Sequence, residues 1–230
     1  MNDKQERKEE IKTAYRELGR ANSLYDGMML GTTRIGRFIL KHVWNMTIED
    51  AMEYQAAAFE PIPSDFSGKL LEVPVGTGVL SMPVWKRLPS ADITCLDYSE
   101  KMMESAQERA KNLGITNITF QQGDVGALPY EDESFDALVS LNGFHAFPDK
   151  QAAYDETWRV LKPGGLFTGC FYVSGRNLKT DRIIRSFYIK FGFFTEPFET
   201  IDSLRDRLTR MYSSVEVNNV ESIAVFHCTK

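Results

Sequence analysis

The segment Val73-Pro74-Val75-Gly76-Thr77-Gly78 constrains this chain more than any other. It closes an apolar run, Lys69-Leu70-Leu71-Glu72-Val73, that reads as a buried strand, and a helix follows it. Two glycines separated by a single residue let the backbone turn tightly and approach a ligand with no Cβ in the way. Strand, glycine turn and helix in that order build a nucleotide crevice at the carboxyl end of the first strand of an α/β sheet. Two more short apolar runs end on carboxylates: Asp92-Ile93-Thr94-Cys95-Leu96-Asp97 and Ile118-Thr119-Phe120-Gln121-Gln122-Gly123-Asp124. A single aspartate is commonly a turn or cap residue. Glu72, Asp97 and Asp124 at three successive strand ends form a pattern.

The pattern narrows the ligand without settling it. No Lys-Ser or Lys-Thr closes the glycine turn, which excludes a phosphate-gripping P-loop. A dinucleotide site stays open, because Gly76-x-Gly78 is present and Asp97 falls where an acidic residue holds a ribose. Against it, the third glycine slot is Ser81, and the charge of Glu72 opposes a pyrophosphate. The same charge suits a ligand carrying an ammonium and a sulfonium, such as S-adenosyl-L-methionine (SAM). Asp97 can then accept from both ribose hydroxyls. Asp124 can accept from an adenine amino group, with Val125 and Leu128 covering the ring. Ser99 reads as the cap of a helix with apolar positions at Met102, Met103, Ala106, Ala110 and Leu113, ended by Gly114.

Taken together, these motifs resemble a class I SAM-dependent methyltransferase. Leu71-Glu72-Val73-Pro74-Val75-Gly76-Thr77-Gly78 is similar to the family's glycine motif, Leu96-Asp97-Tyr98-Ser99 to its ribose motif, and Gly123-Asp124-Val125 with Leu128-Pro129 to its adenine motif. Ser134-Phe135-Asp136-Ala137-Leu138-Val139-Ser140 resembles the fourth strand, and Trp158-Arg159-Val160-Leu161-Lys162-Pro163-Gly164-Gly165 the turn into the fifth. The resemblance implies an α/β, Rossmann-like, seven-stranded sheet in the order 3-2-1-4-5-7-6, with strand 7 antiparallel and helices on both faces. It implies SAM as cofactor, leaving as S-adenosyl-L-homocysteine. The residues it assigns to that cofactor are Glu72, Val73, Pro74, Gly76, Thr77 and Gly78; Asp97, Tyr98 and Met102; Gly123, Asp124 and Val125; and Ser140, Leu141 and Asn142. Pro74 departs from the family's usual glycine. Proline fixes φ, removes a donor and favours an extended Val73, so the strand is expected to run one residue further.

The flanks carry less information. Residues 1–63 read as an N-terminal helical cap, and 64–230 as the cofactor-binding domain. One stripe is Ile11, Ala14, Tyr15, Leu18 and Ala21; a second is Ile35, Phe38, Ile39 and Val43, opposite Arg34, Arg37 and Lys41. Thr47 and Asp50 suggest a cap for a third helix through Phe59. Tyr25-Asp26-x-Met28 with Gly31 and Arg34 resembles the opening segment of ubiquinone/menaquinone-biosynthesis C-methyltransferases. There Tyr25 would close over the methionine part of SAM; the alternative is an aromatic packed between helices. Residues 174–211 hold Phe187, Tyr188, Phe191, Phe193, Phe194 and Phe198, a candidate wall or lid for an acceptor pocket, or else ordinary packing of an added helix. Two final strands are expected at 213–218 and 221–229, with a tight turn at Asn218-Asn219.

The remaining composition bounds partners. With 27 basic and 32 acidic residues the net charge is −5, which argues against a nucleic-acid partner. The three cysteines and three histidines have no metal-ligand spacing, so no metal site is expected. The densely charged start is no secretory signal, and no apolar stretch approaches the ~20 residues of a membrane span. A cytoplasmic protein acting on a small-molecule acceptor is the expectation; the oligomeric state is not readable. Methyl transfer needs chiefly orientation. If the acceptor must lose a proton, His145 is the leading base, with Tyr25 and Tyr172 as weaker candidates; a hydrogen-bonded structural role for His145 is the alternative. Two other functions stay open: a nicotinamide-dependent oxidoreductase, and a SAM-binding protein without catalysis.

Overall fold

A computed structural model describes residues 22–230. The stripe from Ile11 to Ala21 lies outside the described residues. The chain opens with α1 (Asn22–Met29), α2 (Arg34–His42) and α3 (Ile48–Phe59). Then follow β1 (Lys69–Glu72), α4 (Met82–Trp85), β2 (Asp92–Asp97), α5 (Glu100–Leu113), β3 (Ile118–Gln122), β4 (Phe135–Leu141), α6 (Lys150–Val160) and β5 (Leu161–Tyr172). A short α7 (Leu178–Ile183) runs into a π-helical turn (Ile184–Tyr188), and α8 (Ile201–Met211), β6 (Ser214–Val220) and β7 (Ile223–Thr229) complete the chain.

The strands form one seven-stranded sheet in the order β3-β2-β1-β4-β5-β7-β6. β1 to β5 are parallel, and β7 is antiparallel to both β5 and β6. Alternation along each strand divides the core into two layers. Leu70, Ile93, Val139, Cys170 and Val225 face α3, α4 and α5 through Tyr54, Trp85 and Ala106. Leu71, Leu138, Phe167, Phe171 and Phe226 face α6 and α8 through Tyr154, Leu204 and Leu208. Central strands buried on both faces are why β1 and β4 read as continuous apolar runs.

Local signals hold where a cap defines them. The Ser99 side chain accepts from the Met102 N–H at the start of α5, and Gly114 ends that helix at φ +66°. Thr47 and Asp50 form a reciprocal capping box on α3. The far end of α3 is tied to the sheet by Thr168 Oγ1 donating to the Ala58 carbonyl at 2.7 Å.

Three expectations are corrected. α2 buries Gly36 and Leu40, whereas Ile35 is 56% and Phe38 62% exposed. A small residue wins the inner face because α1 lies there: a Cβ on Gly36 would meet the Gly27 carbonyl oxygen at 2.0 Å. The last two strands continue through Asn218 and Asn219, which pair with Val225 and Ala224, so the turn falls at Glu221 and Ser222. Within the segment read as the turn into the fifth strand, β5 already starts at Leu161, which pairs with Phe135 ahead of an irregularity.

Candidate cofactor cleft and adjoining chamber

A cleft of about 990 Å³, mouth included, lies over the carboxyl ends of β1, β2, β3 and β4. There β1 has β2 on one side and β4 on the other, the switch point at which open α/β sheets bind ligands. The Val73 N–H still donates to the Val139 carbonyl, one residue past β1, before the cis Val73–Pro74 bond. Gly76 and Gly78 then take φ of +55° and +66°. Their surroundings differ. A Cβ on Gly78 would meet Met82 Cγ at 2.8 Å, whereas one on Gly76 would meet nothing within 4 Å. Gly78 therefore allows the loop to sit on α4 and α5, and Gly76 keeps the space above the loop open to a ligand.

The three strand-end acids all line this cleft. Asp97 Oδ2 accepts from the Gly76 N–H at 2.7 Å, and Oδ1 from the Ser99 N–H at 2.8 Å. Burial pushes its carboxyl up to about 6, against the pull of those backbone donors. Glu72 Oε2 accepts from the Trp85 indole N–H at 2.6 Å and from the Cys95 thiol at 3.4 Å. Burial raises Glu72 to about 7, opposed by the same donors. Asp124 Oδ1 accepts from the Gly126 N–H and caps the short 3-10 turn Val125–Ala127.

Of the other expected residues, Tyr25, Val73, Pro74, Gly76, Thr77, Gly78, Tyr98, Met102, Gly123, Val125, Leu141 and Asn142 also line the cleft. Ser140 does not: it is wholly buried within β4. Leu128 packs in the α6 layer instead of on the cleft. Thr77 lines the cleft, but its hydroxyl donates to Asp26 Oδ1 at 2.8 Å. Sequence reasoning missed Met29, Phe147 and Pro148. The last two lie directly past the His145 segment, where a proline after a strand end could have flagged a cleft loop.

The profile of a family described as a methyltransferase domain matches residues 70–165. A demethylmenaquinone methyltransferase of Deinococcus radiodurans is 37% identical over 97 residues, covering 42% of this chain and 40% of that protein. One of Staphylococcus aureus is 36% identical over 124 residues, covering 54% of this chain and 50% of that protein. The chain thus aligns with half or less of the length of these curated relatives. A solved structure titled as a possible histamine N-methyltransferase from Thermotoga maritima superposes with a TM-score of 0.63 at 18% identity, over 90% of this chain and 98% of that one. At that identity it speaks for the fold alone.

Residues 70–165 match the methyltransferase-domain family, and the sheet has the Rossmann-like fold of SAM-dependent methyltransferases.

Behind the cleft lies a second chamber of about 1020 Å³, mouth included. Tyr25, Met29 and Asn142 belong to the walls of both spaces. The rest of the second wall is apolar or aromatic, from α2 (Ile39, Leu40), from Trp44 and Met46, and from the 187–194 segment (Phe187, Tyr188, Phe193, Phe194). Asn142 stands at φ +54°, with its Nδ2 buried and lacking a partner of hydrogen-bond geometry. Burial raises the Tyr25 and Tyr54 hydroxyls far above their ordinary range, so both stay protonated.

His145 faces the second chamber and not the first. Its ring stacks on Phe194 at 3.9 Å, and Nδ1 accepts from the Tyr172 N–H at 3.2 Å. A backbone donor on Nδ1 places the single ring proton on Nε2. Burial, with the charge of Lys150, lowers the ring to about 3. A ring so held presents an Nε2–H donor, the hydrogen-bonded structural arrangement that is the alternative to a general base. Tyr172 is engaged elsewhere, since its hydroxyl donates to Asp181 Oδ1 at 2.7 Å and lines neither space.

Helix α1 covers the cleft through one polar cluster. Asp26 pairs with Arg109 of α5, and Arg109 Nε donates to the Thr77 carbonyl at 3.2 Å. The glycine loop, α5 and α1 are thereby joined at a single carboxylate, with Tyr25 and Met29 on either side of it.

Proposed function

We propose that the domain transfers the methyl group of SAM to a small, apolar or aromatic acceptor, a hydroquinone-like ring, held in the second chamber. The observation that carries this reading is the shared wall of Tyr25, Met29 and Asn142 between a carboxylate-lined cleft and an aromatic chamber. When bound, SAM supplies a methyl group already activated by its sulfonium. The cleft suits it: Asp97 would hold the ribose, Asp124 the adenine, and the open space over Gly76 leaves room for the methionine part. Asn142, beside the Tyr54 hydroxyl, sets an amide at the junction. The names of the curated relatives support a quinone-type acceptor, and the methyltransferase profile sets the nicotinamide reading aside. Residues 174–211 act as the acceptor wall, and residues from α1 to α3 as the cap.

Among the described residues lining the second chamber no carboxylate or amine occurs, and its tyrosines and His145 are neutral. The chamber therefore excludes water, orients the acceptor and offers N–H and O–H donors. It suits an acceptor whose reacting atom is electron-rich on its own account. Incubation with isotope-labelled SAM and a series of short-chain hydroquinones, read by mass spectrometry, is expected to yield methylated ring products. SAM binding with no transfer to hydroquinones, phenols or amines would leave only the non-catalytic reading.

Two results follow from the titrations. At saturating SAM, His145→Gln is expected to slow transfer by about tenfold through lost orientation, with the same flat pH profile as the unaltered enzyme between pH 5 and 8. A limb near pH 6–7 that vanishes in the variant would restore the base. SAM affinity is expected to rise about tenfold between pH 5.5 and 8. Glu72 and Asp97 are protonated below about 7 and 6, and a cationic ligand favours their ionised forms. S-adenosylhomocysteine, which lacks the sulfonium charge, should show a shallower slope by titration calorimetry. Equal slopes for the two ligands would remove the electrostatic role of these acids.

A further inference from the structure

The segments that wall the second chamber leave apolar and positively charged side chains exposed together. Phe187 lines the chamber and is 53% exposed, and Phe191, in ring contact with it at 4.5 Å, is 51% exposed. Phe38, 62% exposed, adjoins the lining residue Ile39 on α2, with Ile35 one turn before it. These two segments meet: Thr180 Oγ1 donates to the Val43 carbonyl at 2.7 Å, and the Trp44 and Tyr188 rings lie 6.1 Å apart. Large apolar side chains left exposed on the two segments that wall a cavity mark a contact surface and not a random scatter.

The charge around them is just as uneven. α2 carries Arg34, Arg37 and Lys41 with no acidic residue, all exposed. Residues 178–196 carry four lysines and arginines against Asp181 and Glu196. Those two acids are engaged, Asp181 by the Tyr172 hydroxyl and Glu196 by Arg185. So these segments are net cationic on a chain whose net charge is −5.

We propose that these segments dock on an anionic phospholipid bilayer, with Phe38, Phe187 and Phe191 entering the headgroup–acyl boundary and the α2 cations meeting lipid phosphates. Aromatic and aliphatic side chains beside basic ones are what holds a peripheral protein on such a surface. The chamber then opens towards the lipid, and an apolar acceptor can enter without crossing water. This last step rests on the acceptor reading above; the docking itself does not.

The full chain, spun with sucrose-loaded vesicles, tests it. Partition onto vesicles of equal parts phosphatidylglycerol and phosphatidylcholine is expected to exceed that onto pure phosphatidylcholine by about tenfold or more, and to weaken in high salt. Phe38→Glu and Arg37→Glu, both at exposed positions outside the cavity walls, should each lower the partition by about tenfold. Their melting curves and SAM affinity should not move. Equal partition on both vesicles, or partition indifferent to Phe38→Glu, overturns the proposal. So does a stable dimer in sedimentation that Phe38→Glu dissociates, since the patch would then join two copies of the chain. Methylation of a water-soluble hydroquinone without vesicles reports on the acceptor separately; its failure alongside intact lipid binding would sink that reading and leave the docking standing.

Discussion

Asp97→Ala is expected to weaken SAM binding by about 10²–10³-fold, measured by titration calorimetry, with the fold retained in circular dichroism. The carboxylate holds the Gly76 and Ser99 N–H groups at 2.7 and 2.8 Å. Alanine leaves both donors without an acceptor and frees the turn that Gly76 makes at positive φ. It also removes the acceptor proposed for the ribose. Hydrogen bonds to a charged group are worth about 1.5–3 kcal/mol each, so losing those to the ligand gives a penalty of this size. Asp97→Asn keeps one oxygen and must turn its amide towards one of the two N–H groups. Its loss should be intermediate, about tenfold or more by the same reasoning. Unchanged SAM affinity in Asp97→Ala would mean that the ligand does not lie against β2.

Trp85→Phe is the second large effect, and it falls on stability. Trp85 and Glu72 are both almost fully buried, joined by the 2.6 Å indole bond. Phenylalanine fills most of the volume and removes the donor. An ionised carboxylate left without its partner in the core costs about 3 kcal/mol or more. The pH dependence identifies the cause. The folded Glu72 is raised to about 7 from its ordinary 4.5. A carboxyl raised on folding contributes stability at low pH and loses it as pH climbs through the folded value. Removing the indole penalises only the ionised form. The urea-unfolding deficit of Trp85→Phe should therefore be near 1 kcal/mol at pH 5, from the smaller ring alone, and grow above pH 7. Adding Glu72→Gln should recover most of the difference at pH 8. A deficit equal at pH 5 and pH 8 would assign the loss to packing.

The legible parts of this molecule are those specified within a few residues. A buried parallel strand must end where its carboxylate or glycine meets the crevice, so Glu72, Asp97 and Asp124 were readable as a set. Ser99 and Gly114 bracket α5 by rules that act over one turn. The illegible parts depend on partners far along the chain. Glu72 looks free at a strand tip until Trp85, 13 residues on, donates to it. Asp26 finds Arg109 across 83 residues, which no local pattern announces. On α2 the periodicity offered an apolar stripe, but the packing of α1 against Gly36 selected a neighbouring face, Gly36 and Leu40, and left Ile35 and Phe38 exposed. His145 was correctly singled out as lying beyond β4, yet its role turned on a backbone N–H from Tyr172 in another strand. Ser140 and Asn142 are two residues apart; only Asn142, past the end of the ladder, leaves the sheet and reaches the ligand space.

One short helix supplies Tyr25 and Met29 to both compartments and is pinned by a single aspartate. On the function proposed above, a tilt of that helix would reshape the two volumes together and link their occupants thermodynamically. Whatever factor a filled cleft then lends to affinity in the chamber, a filled chamber must return in equal measure.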